Sequence, residues 1–232
     1  MNLRTGTSGY SYKEWKGKFY PEKLAATKML HYYGEHFGTV EINYTFRAIP
    51  TTTLLEKWVG EVPKDFQFVL KAPQTITHHK KLVGCEEIVA NFFDIADAMK
   101  KSLGPVLFQL PETFKKDADR LRNFLTAIPA KKRVAFEFRS ATWFDDEIYD
   151  LLRKNKAAFC VADADNDLDV PFVATTDWGF MRLRRTDYSD AELKKWLKTF
   201  REQTWNDVYV FFRHEDDANG PRLAKRLMEL AK

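Results

Sequence analysis

Polar side chains recur at the ends of short apolar segments in this 232-residue sequence. In the segment TVEIN, Val40 and Ile42 alternate with Glu41 and Asn43. Successive side chains of a strand point to opposite faces, so the polar pair lies on the face opposite the apolar pair. We expect these polar faces to point into one shared interior. The alternation assigns to this interior Glu41, Asn43, Lys71, Gln109, Glu137, Arg139, Asp163, Arg182, Arg184 and Arg213.

Acid/base chemistry is the first use that these residue types suggest. Glu41, Lys71 and Glu137 are the candidate catalytic residues, because carboxylates and an amine can accept and donate protons. Burial raises the pKa of a carboxylate and a nearby arginine lowers it, so the two glutamates could hold different roles. The alternative is structural: Glu41 with Lys71, or Glu137 with Arg182, could form interior salt bridges that fix the strand register.

Binding of an anionic group is the second use. A guanidinium offers parallel N–H donors, which match the oxygens of phosphate and carboxylate groups. At the mouth the cations outnumber the carboxylates, so the sequence predicts a positive pocket that attracts anions. The candidate substrate-binding residues are Asn43, Arg47, Gln109, Arg139, Trp143, Asp163, Arg182 and Arg184.

A metal site would require a different set of side chains. No HxH or HExxH spacing is present, so we expect neither a bound metal nor another cofactor. The residues near the mouth that could ligate a metal are Glu41, His78, Glu137, Asp163 and His214.

The elements that position these residues follow from an alternation of short β-rich segments with amphipathic stretches, a pattern typical of βαβ units. The predicted strands are residues 3–8, 39–43, 66–71, 105–110, 133–139, 158–163, 179–185 and 207–212. The fold class is therefore α/β, a (β/α)8 TIM barrel that forms a single domain over residues 1–232. A doubly wound open sheet is the competing architecture, but GTSGYSY after the first strand lacks a Gly-rich phosphate fingerprint.

The sixth helix is the exception to this alternation. The segment ADNDLDVPFVATTD, residues 164–177, is acidic, contains a proline and shows no apolar period. We expect the sixth helix to be reduced or missing. Elsewhere Pro50-Thr51, Ser189 and Pro221 stand where helices should begin. The polar interior residues fall in the C-terminal halves of their strands, at the end of a barrel where active sites form.

Composition restricts the possible classes of binding partner only slightly. The formal net charge of +4 is mildly basic and favours anionic partners. Two cysteines without a CxxC spacing indicate neither a disulfide framework nor a zinc site. The opening MNLRTGTSG lacks a signal-peptide pattern and no apolar run is long enough for a bilayer. We therefore expect a cytoplasmic protein with no membrane partner, and its oligomeric state stays open.

A series of short motifs adds a family resemblance. The segments GTSGYSYKEW, FGTVEINYTFR, FQFVLKAPQTITH, LGPVLFQLP, VAFEFRSATW and GFMRLRR occur in this order. Together they resemble the YecE-like family, domain-of-unknown-function family 72, from about residue 4 to the C-terminus. The resemblance implies a TIM barrel and no settled activity. The matching positions are Thr7, Ser8, Gly9, Trp15, Glu41, Asn43, Arg47, Lys71, Thr77, His78, Gln109, Glu137, Arg139 and Trp143.

The last strand departs from the family pattern, which tends to carry asparagines where this chain has Arg213, His214 and Glu215. No role is carried over to these three residues from the resemblance.

Two functions from different classes remain open at this point. The first is an enzyme that acts on an anionic, phosphate- or carboxylate-bearing small molecule by acid/base chemistry at the C-terminal rim. The alternative is a nucleic-acid-binding barrel, or a phosphodiesterase, with a groove of arginines and aromatic rings. A closed pocket favours the first and an open basic trough favours the second.

Overall fold

The computed structural model describes residues 1–213 and 217–232 of the chain. Within them, eight strands pair in parallel in the order β1-β8-β7-β6-β5-β4-β3-β2. A parallel bridge between Ser8 and Glu41 joins the two ends of this order, so the sheet rolls into a barrel. The strands are β1 (Asn2–Thr7), β2 (Thr39–Ile42), β3 (Gln67–Lys71), β4 (Leu103–Leu110), β5 (Val134–Phe138), β6 (Ala158–Asp163), β7 (Trp178–Leu183) and β8 (Asp207–Phe212). The predicted (β/α)8 barrel is confirmed.

Helices pack around the outside of the barrel. They are α1 (Met29–Gly34), α2 (Tyr44–Arg47), α3 (Thr52–Gly60), α4 (Glu86–Ala96), α5 (Ala118–Thr126), α6 (Asp146–Lys154), α7 (Asp190–Arg201) and α8 (Asn219–Ala231). Two predicted helix starts are caps: Thr51 Oγ1 accepts a hydrogen bond from the Leu54 amide, and Ser189 forms a capping box with Glu192. Pro221 lies in the first turn of α8.

The space between β6 and β7 holds no helix in the structure, as the sequence predicts. Residues 164–177, which we call the β6–β7 strap, run over the outside of the barrel without regular secondary structure. Val170 and Phe172 of the strap pack against the core, and the Phe172 ring lies 5.7 Å from that of Trp205. Extended chain therefore covers the strand surface that a sixth helix would otherwise cover.

The barrel interior is apolar below its C-terminal end. The side chains of Val69, Leu107, Ala135, Ala158, Cys160, Trp178, Phe180, Tyr209 and Phe211 form one buried cluster inside the strands. This cluster separates the two ends of the barrel. Polar side chains of the C-terminal end thus stand on an apolar plug and open in one direction only.

The seam between β1 and β2 depends on a glycine. A Cβ atom on Gly6 would lie 2.1 Å from the carbonyl oxygen of Thr39. The Tyr33 hydroxyl bridges the same seam, since it accepts from the Thr7 amide at 2.8 Å and donates to the Thr39 carbonyl at 3.1 Å. The close approach of the two strands closes the barrel beside Glu41.

Candidate functional site

Arg182 is the centre of a buried ionic network at the C-terminal end of the barrel. Its Nε and Nη2 donate to the two carboxylate oxygens of Glu41, at 2.9 and 2.7 Å, and Nη1 donates to Glu137 Oε2 at 2.5 Å. All three side chains are at most 2% exposed. Because β2, β5 and β7 supply them from different parts of the barrel wall, the network ties these strands together.

A second line of hydrogen bonds leads from Glu137 to Lys71. The Gln109 amide nitrogen donates to Glu137 Oε2 at 2.9 Å, and Lys71 Nζ donates to Gln109 Oε1 at 2.9 Å. Lys71 Nζ also lies 4.1 Å from the centroid of the Phe46 ring. The amide of Gln109 therefore links the lysine to the carboxylate and fixes the position of both.

The charges of the network set the protonation of its members. Burial alone would raise the pKa of Glu137, but the charges of Arg182 and Arg139 and the Gln109 hydrogen bond outweigh it and lower the pKa to about 2. Burial and the neighbouring Arg182 charge lower the pKa of Lys71 to about 8. Glu137 is thus held ionised, whereas Lys71 can exchange its proton near neutral pH.

A cavity of about 710 Å³ opens above this network. Arg139, Arg184 and Arg213 line it, and Glu137 contributes to its floor. Arg139 Nε donates to Glu137 Oε1 at 3.3 Å, while the Arg184 side chain forms no hydrogen bond or ion pair with residues 1–213 or 217–232. Burial, followed by the Arg182 charge, lowers the pKa of Arg184. The guanidinium of Arg184 is therefore available to an anion in the cavity.

Three carboxylates of the loops also line the cavity, and we call them its acidic wall. Glu112 follows β4, and Asp165 and Asp167 belong to the β6–β7 strap. Asp165 Oδ2 accepts hydrogen bonds from the Thr186 amide and hydroxyl, at 2.7 and 2.8 Å, which holds the strap at the mouth. With Lys115 also present, four cations face four carboxylates around the cavity as a whole. The arginines follow strand ends, whereas three of the four carboxylates lie on loops.

Comparison with known proteins places the chain in a family. The model of the family described as "Protein of unknown function DUF72" matches residues 4–232. The chain belongs to the DUF72 family. Among curated proteins, this DUF72 chain is 29% identical to the UPF0759 protein YunF of Bacillus subtilis, over 91% of this chain and 89% of that protein. It is 31% identical to the UPF0759 protein YecE of Escherichia coli, over 50% of this chain and 43% of that protein.

Solved structures show the same fold. A DUF72 family protein from Thermotoga maritima is 27% identical to this chain, with a TM-score of 0.88 and coverage of 99% of both chains. A DUF72 family protein from Enterococcus faecalis has a TM-score of 0.78 at 18% identity, over 99% of this chain and 95% of that one. The beta-mannanase of the blue mussel Mytilus edulis has a TM-score of 0.53 at 8% identity, over 98% of this chain and 91% of that one, which is a likeness of fold alone.

Asp163 of this DUF72 chain does not point into the barrel, so its assignment to the interior was wrong. It has the same parity as Phe159 and Val161, which face the outer core, whereas Cys160 belongs to the interior cluster. Asp163 Oδ2 instead accepts from Arg185 Nε at 3.1 Å. The outer position is tolerated because no sixth helix covers this end of β6.

Trp143 also lies elsewhere than a substrate-binding role requires. Its indole is fully buried and stacks on Phe138 with ring centroids 4.8 Å apart. Its Nε1 donates to the Phe114 carbonyl at 2.6 Å. The buried indole therefore stabilises the loop after β5. Burial favours this position because the ring is apolar and its N–H already has a hydrogen-bond acceptor.

Asn43 and Arg47 do not line the cavity. Asn43 is the half-buried residue before α2, and Arg47 is exposed at the end of that short helix. His78 is half-buried, and its ring meets the edge of Phe46 at 5.0 Å. Burial and the nearby Lys71 charge lower the pKa of His78. The DUF72 site thus continues from Lys71 to His78 across one phenyl ring.

His214 and Glu215, which follow β8 in the sequence, lie outside the described residues. No cluster of three or more His, Cys, Asp or Glu side chains suited to a metal ion occurs in residues 1–213 and 217–232. Across those same residues, no helix has both the length and the apolar character that crossing a bilayer requires.

The sequence analysis did not identify the loop residues of the cavity. Glu112 and Lys115 lie in the loop after β4, and their position just after a barrel strand is the feature that could have identified them. In the sequence, Asp165 and Asp167 indicate only that a sixth helix is reduced or missing. Their position at the cavity depends on the path of the β6–β7 strap, which no periodic pattern encodes.

Proposed function

We propose that this DUF72 protein is an enzyme that acts on a small phosphate- or carboxylate-bearing molecule at the C-terminal end of the barrel. The observation that carries the proposal is the convergence of Arg139, Arg184 and Arg213 on one 710 Å³ cavity. A cavity of this volume suits a metabolite-sized ligand. Guanidinium groups at its floor suit the oxygens of a phosphate or carboxylate.

In this proposal the roles of the ionisable groups differ from those that alternation alone suggests. Both glutamates are bound to Arg182, and the low pKa of Glu137 makes it a weak base and a poor acid near neutral pH. Lys71 is the group whose pKa, about 8, suits proton transfer. Lys71 does not line the cavity itself but is linked through Gln109 to Glu137 at the cavity floor. The substrate would place its anion on the arginines and its reacting carbon or oxygen toward that floor.

The acidic wall adds a requirement on the rest of the substrate. Glu112 and Asp167 line the same cavity as the arginines. Carboxylates accept hydrogen bonds from hydroxyl and amine groups and repel a second anion. The favoured substrate therefore has one anionic end and one hydroxyl- or amine-bearing end.

The nucleic-acid alternative has less support from this arrangement. A polyanion needs a continuous basic trough. Here Asp165, Asp167 and Glu112 interrupt the rim of the cavity. Trp15, Trp143 and Trp178 are buried, so these three rings cannot stack on bases. Binding of an oligonucleotide in place of a small anion would overturn the proposal.

The test is a binding and turnover screen on the full-length protein. Phosphorylated sugars, carboxylated sugars and a single-stranded oligonucleotide would be titrated by calorimetry, and substrate consumption would be followed by NMR. Replacing Arg184 with Ala should weaken the best small ligand tenfold or more, since a charged hydrogen bond contributes about 1.5 to 3 kcal/mol. Replacing Lys71 with Gln should abolish turnover and retain binding.

Arg153→Ala is the matched control for the arginine variants. Its side chain on α6 is 47% exposed and contacts Asp150, so its loss should change neither binding nor turnover. The proposal fails if the oligonucleotide alone binds. It also fails if Arg184→Ala binds every small anion as tightly as the native protein does.

A further inference from the structure

A second cavity, of about 450 Å³, lies at the opposite end of the barrel, where the strands begin. Lys100, Lys131, Lys132 and Arg133 line it together with one carboxylate, that of Asp207. This excess of cations contrasts with the balanced charges of the C-terminal cavity. We propose that the second cavity is a separate binding site for the phosphate group of a small molecule.

The single carboxylate of this cavity is already occupied. Asp207 Oδ2 accepts from Arg133 Nη1 at 2.7 Å, and its Oδ1 accepts from Asn2 Nδ2 at 3.2 Å. Arg4 Nε is a further 3.8 Å contact of Oδ1. Two arginines and an amide therefore surround Asp207, so it does not neutralise the lysines of the cavity.

The lysines of the cavity differ in whether their ammonium groups have an ion pair or a hydrogen bond. Lys132 Nζ forms an ion pair with Asp97, which does not line the cavity. Within the described ranges 1–213 and 217–232, the ammonium groups of Lys100 and Lys131 have neither an ion pair nor a hydrogen bond. Two ammonium groups beside the Arg133 guanidinium form the charge pattern that a phosphate, with two negative charges and several oxygens, can satisfy.

The backbone at the two free lysines determines which substitution can test the site. Lys131 has a φ of 67°, and Lys100 has a φ of 52° with a ψ of −126°. Most L-residues are disfavoured at positive φ because Cβ approaches the backbone, whereas glycine accepts it. A glycine can therefore replace either lysine, and remove its charge, without adding backbone strain.

A turn elsewhere in the chain supplies a matched control. Lys81, in the turn before α4, has a φ of 45° and does not line the 450 Å³ cavity. Lys131→Gly and Lys81→Gly therefore make the same chemical change at a positive φ, and only the first removes a charge from the proposed site.

The experiment measures pyrophosphate binding to the full chain by calorimetry at low salt, together with the melting temperature of each variant. Lys131→Gly should weaken pyrophosphate binding tenfold or more without lowering the melting temperature, because glycine accepts the positive φ. Lys81→Gly should bind as the native protein does. If Lys131→Gly proves less stable than expected, Lys131→Asn is the second variant. It removes the same charge, and asparagine also accepts a positive φ.

Arg184→Ala distinguishes this site from the one at the C-terminal end. Pyrophosphate binding that survives Arg184→Ala and is lost in Lys131→Gly supports the second site, whatever the fate of the proposed enzyme activity. The inference is overturned if the native protein does not bind millimolar pyrophosphate. It is equally overturned if Arg184→Ala abolishes all binding, or if Lys131→Gly and Lys81→Gly bind alike.

Discussion

Arg182 donates two hydrogen bonds to Glu41, at 2.9 and 2.7 Å, although 141 positions separate the two residues in the chain. The pair is bidentate, and a third N–H of the same guanidinium reaches Glu137. Two buried carboxylates thus share one cation, with Gln109 and Arg139 as further donors to Glu137. Stability and the proposed chemistry both depend on this one guanidinium.

Replacement of Arg182 by Met should destabilise the protein strongly. The methionine fills much of the space but leaves two buried carboxylates without their cation. Breaking a buried ion pair by removing one partner costs about 3 to 5 kcal/mol. Urea unfolding at neutral pH measures the loss. The control, Arg153→Met at an exposed pair with Asp150, should change the free energy of unfolding by less than about 1 kcal/mol. Equal effects of the two substitutions would refute a stabilising network.

Glu137 should make stability depend on acid pH. Its folded pKa, about 2, is lower than its ordinary value of 4.5. The stabilisation is therefore complete above about pH 4.5 and is lost as the pH falls toward 2. Glu137→Gln should have a smaller decrease in the free energy of unfolding across this window than the native protein. Glu112→Gln, at an exposed position on the cavity wall, should follow the native curve. Superimposable curves for native protein and Glu137→Gln would contradict the prediction.

Lys71 should make stability depend on alkaline pH, again with a free energy of unfolding that rises as the pH rises. Its folded pKa, about 8, is below its ordinary value of 10.5, so the unfolded chain binds more protons between these values. The contribution of Lys71 to the free energy of unfolding therefore rises as the pH goes from 8 to 10.5. Lys71→Met should remove that rise, and Lys198→Met, at an 80% exposed side chain, should retain it. Unfolding curves measured across this range would disprove the assignment if Lys71→Met kept the native slope.

Gly6 should tolerate no side chain. A methyl group there would overlap the Thr39 carbonyl oxygen and force β1 away from β2, an overpacking that costs about 1 to 3 kcal/mol. Gly38→Ala is the control, because a Cβ at Gly38 has no heavy atom within 4 Å. Thermal unfolding should show a lower melting temperature for Gly6→Ala and little change for Gly38→Ala. Two unchanged melting temperatures would show that the seam can open without cost.

Strand alternation was sufficient to find most of the network. Large apolar residues such as Val40, Ile42 and Phe136 mark the outer face so clearly that their polar neighbours, Glu41 and Glu137, can face only inward. The pattern works because the interior and the helix layer alternate strictly along each barrel strand. Which inward residues bond to one another depends on register across the barrel, which alternation does not specify.

Asp163 shows where the same reasoning stops. Phe159 and Val161 already placed Asp163 on the outer face by parity. The assignment of Asp163 to the interior contradicts this parity. It was wrong because Arg185, two residues after the end of β7, pairs with Asp163 on the outer side. Contacts between loops, like the burial of Trp143 against Phe114, follow from chain path and not from period.

The distribution of the network over five strands has a consequence for how the barrel assembles. Glu41, Lys71 and Gln109 belong to the first half of the barrel, whereas Glu137 and Arg182 belong to the second. A half-barrel cut between β4 and β5 would expose Glu41 without its cation, and its complement would hold an arginine with only one of its two carboxylates. Neither fragment can satisfy its own charges. The two halves should therefore order only when they meet, so folding of the barrel is cooperative from end to end.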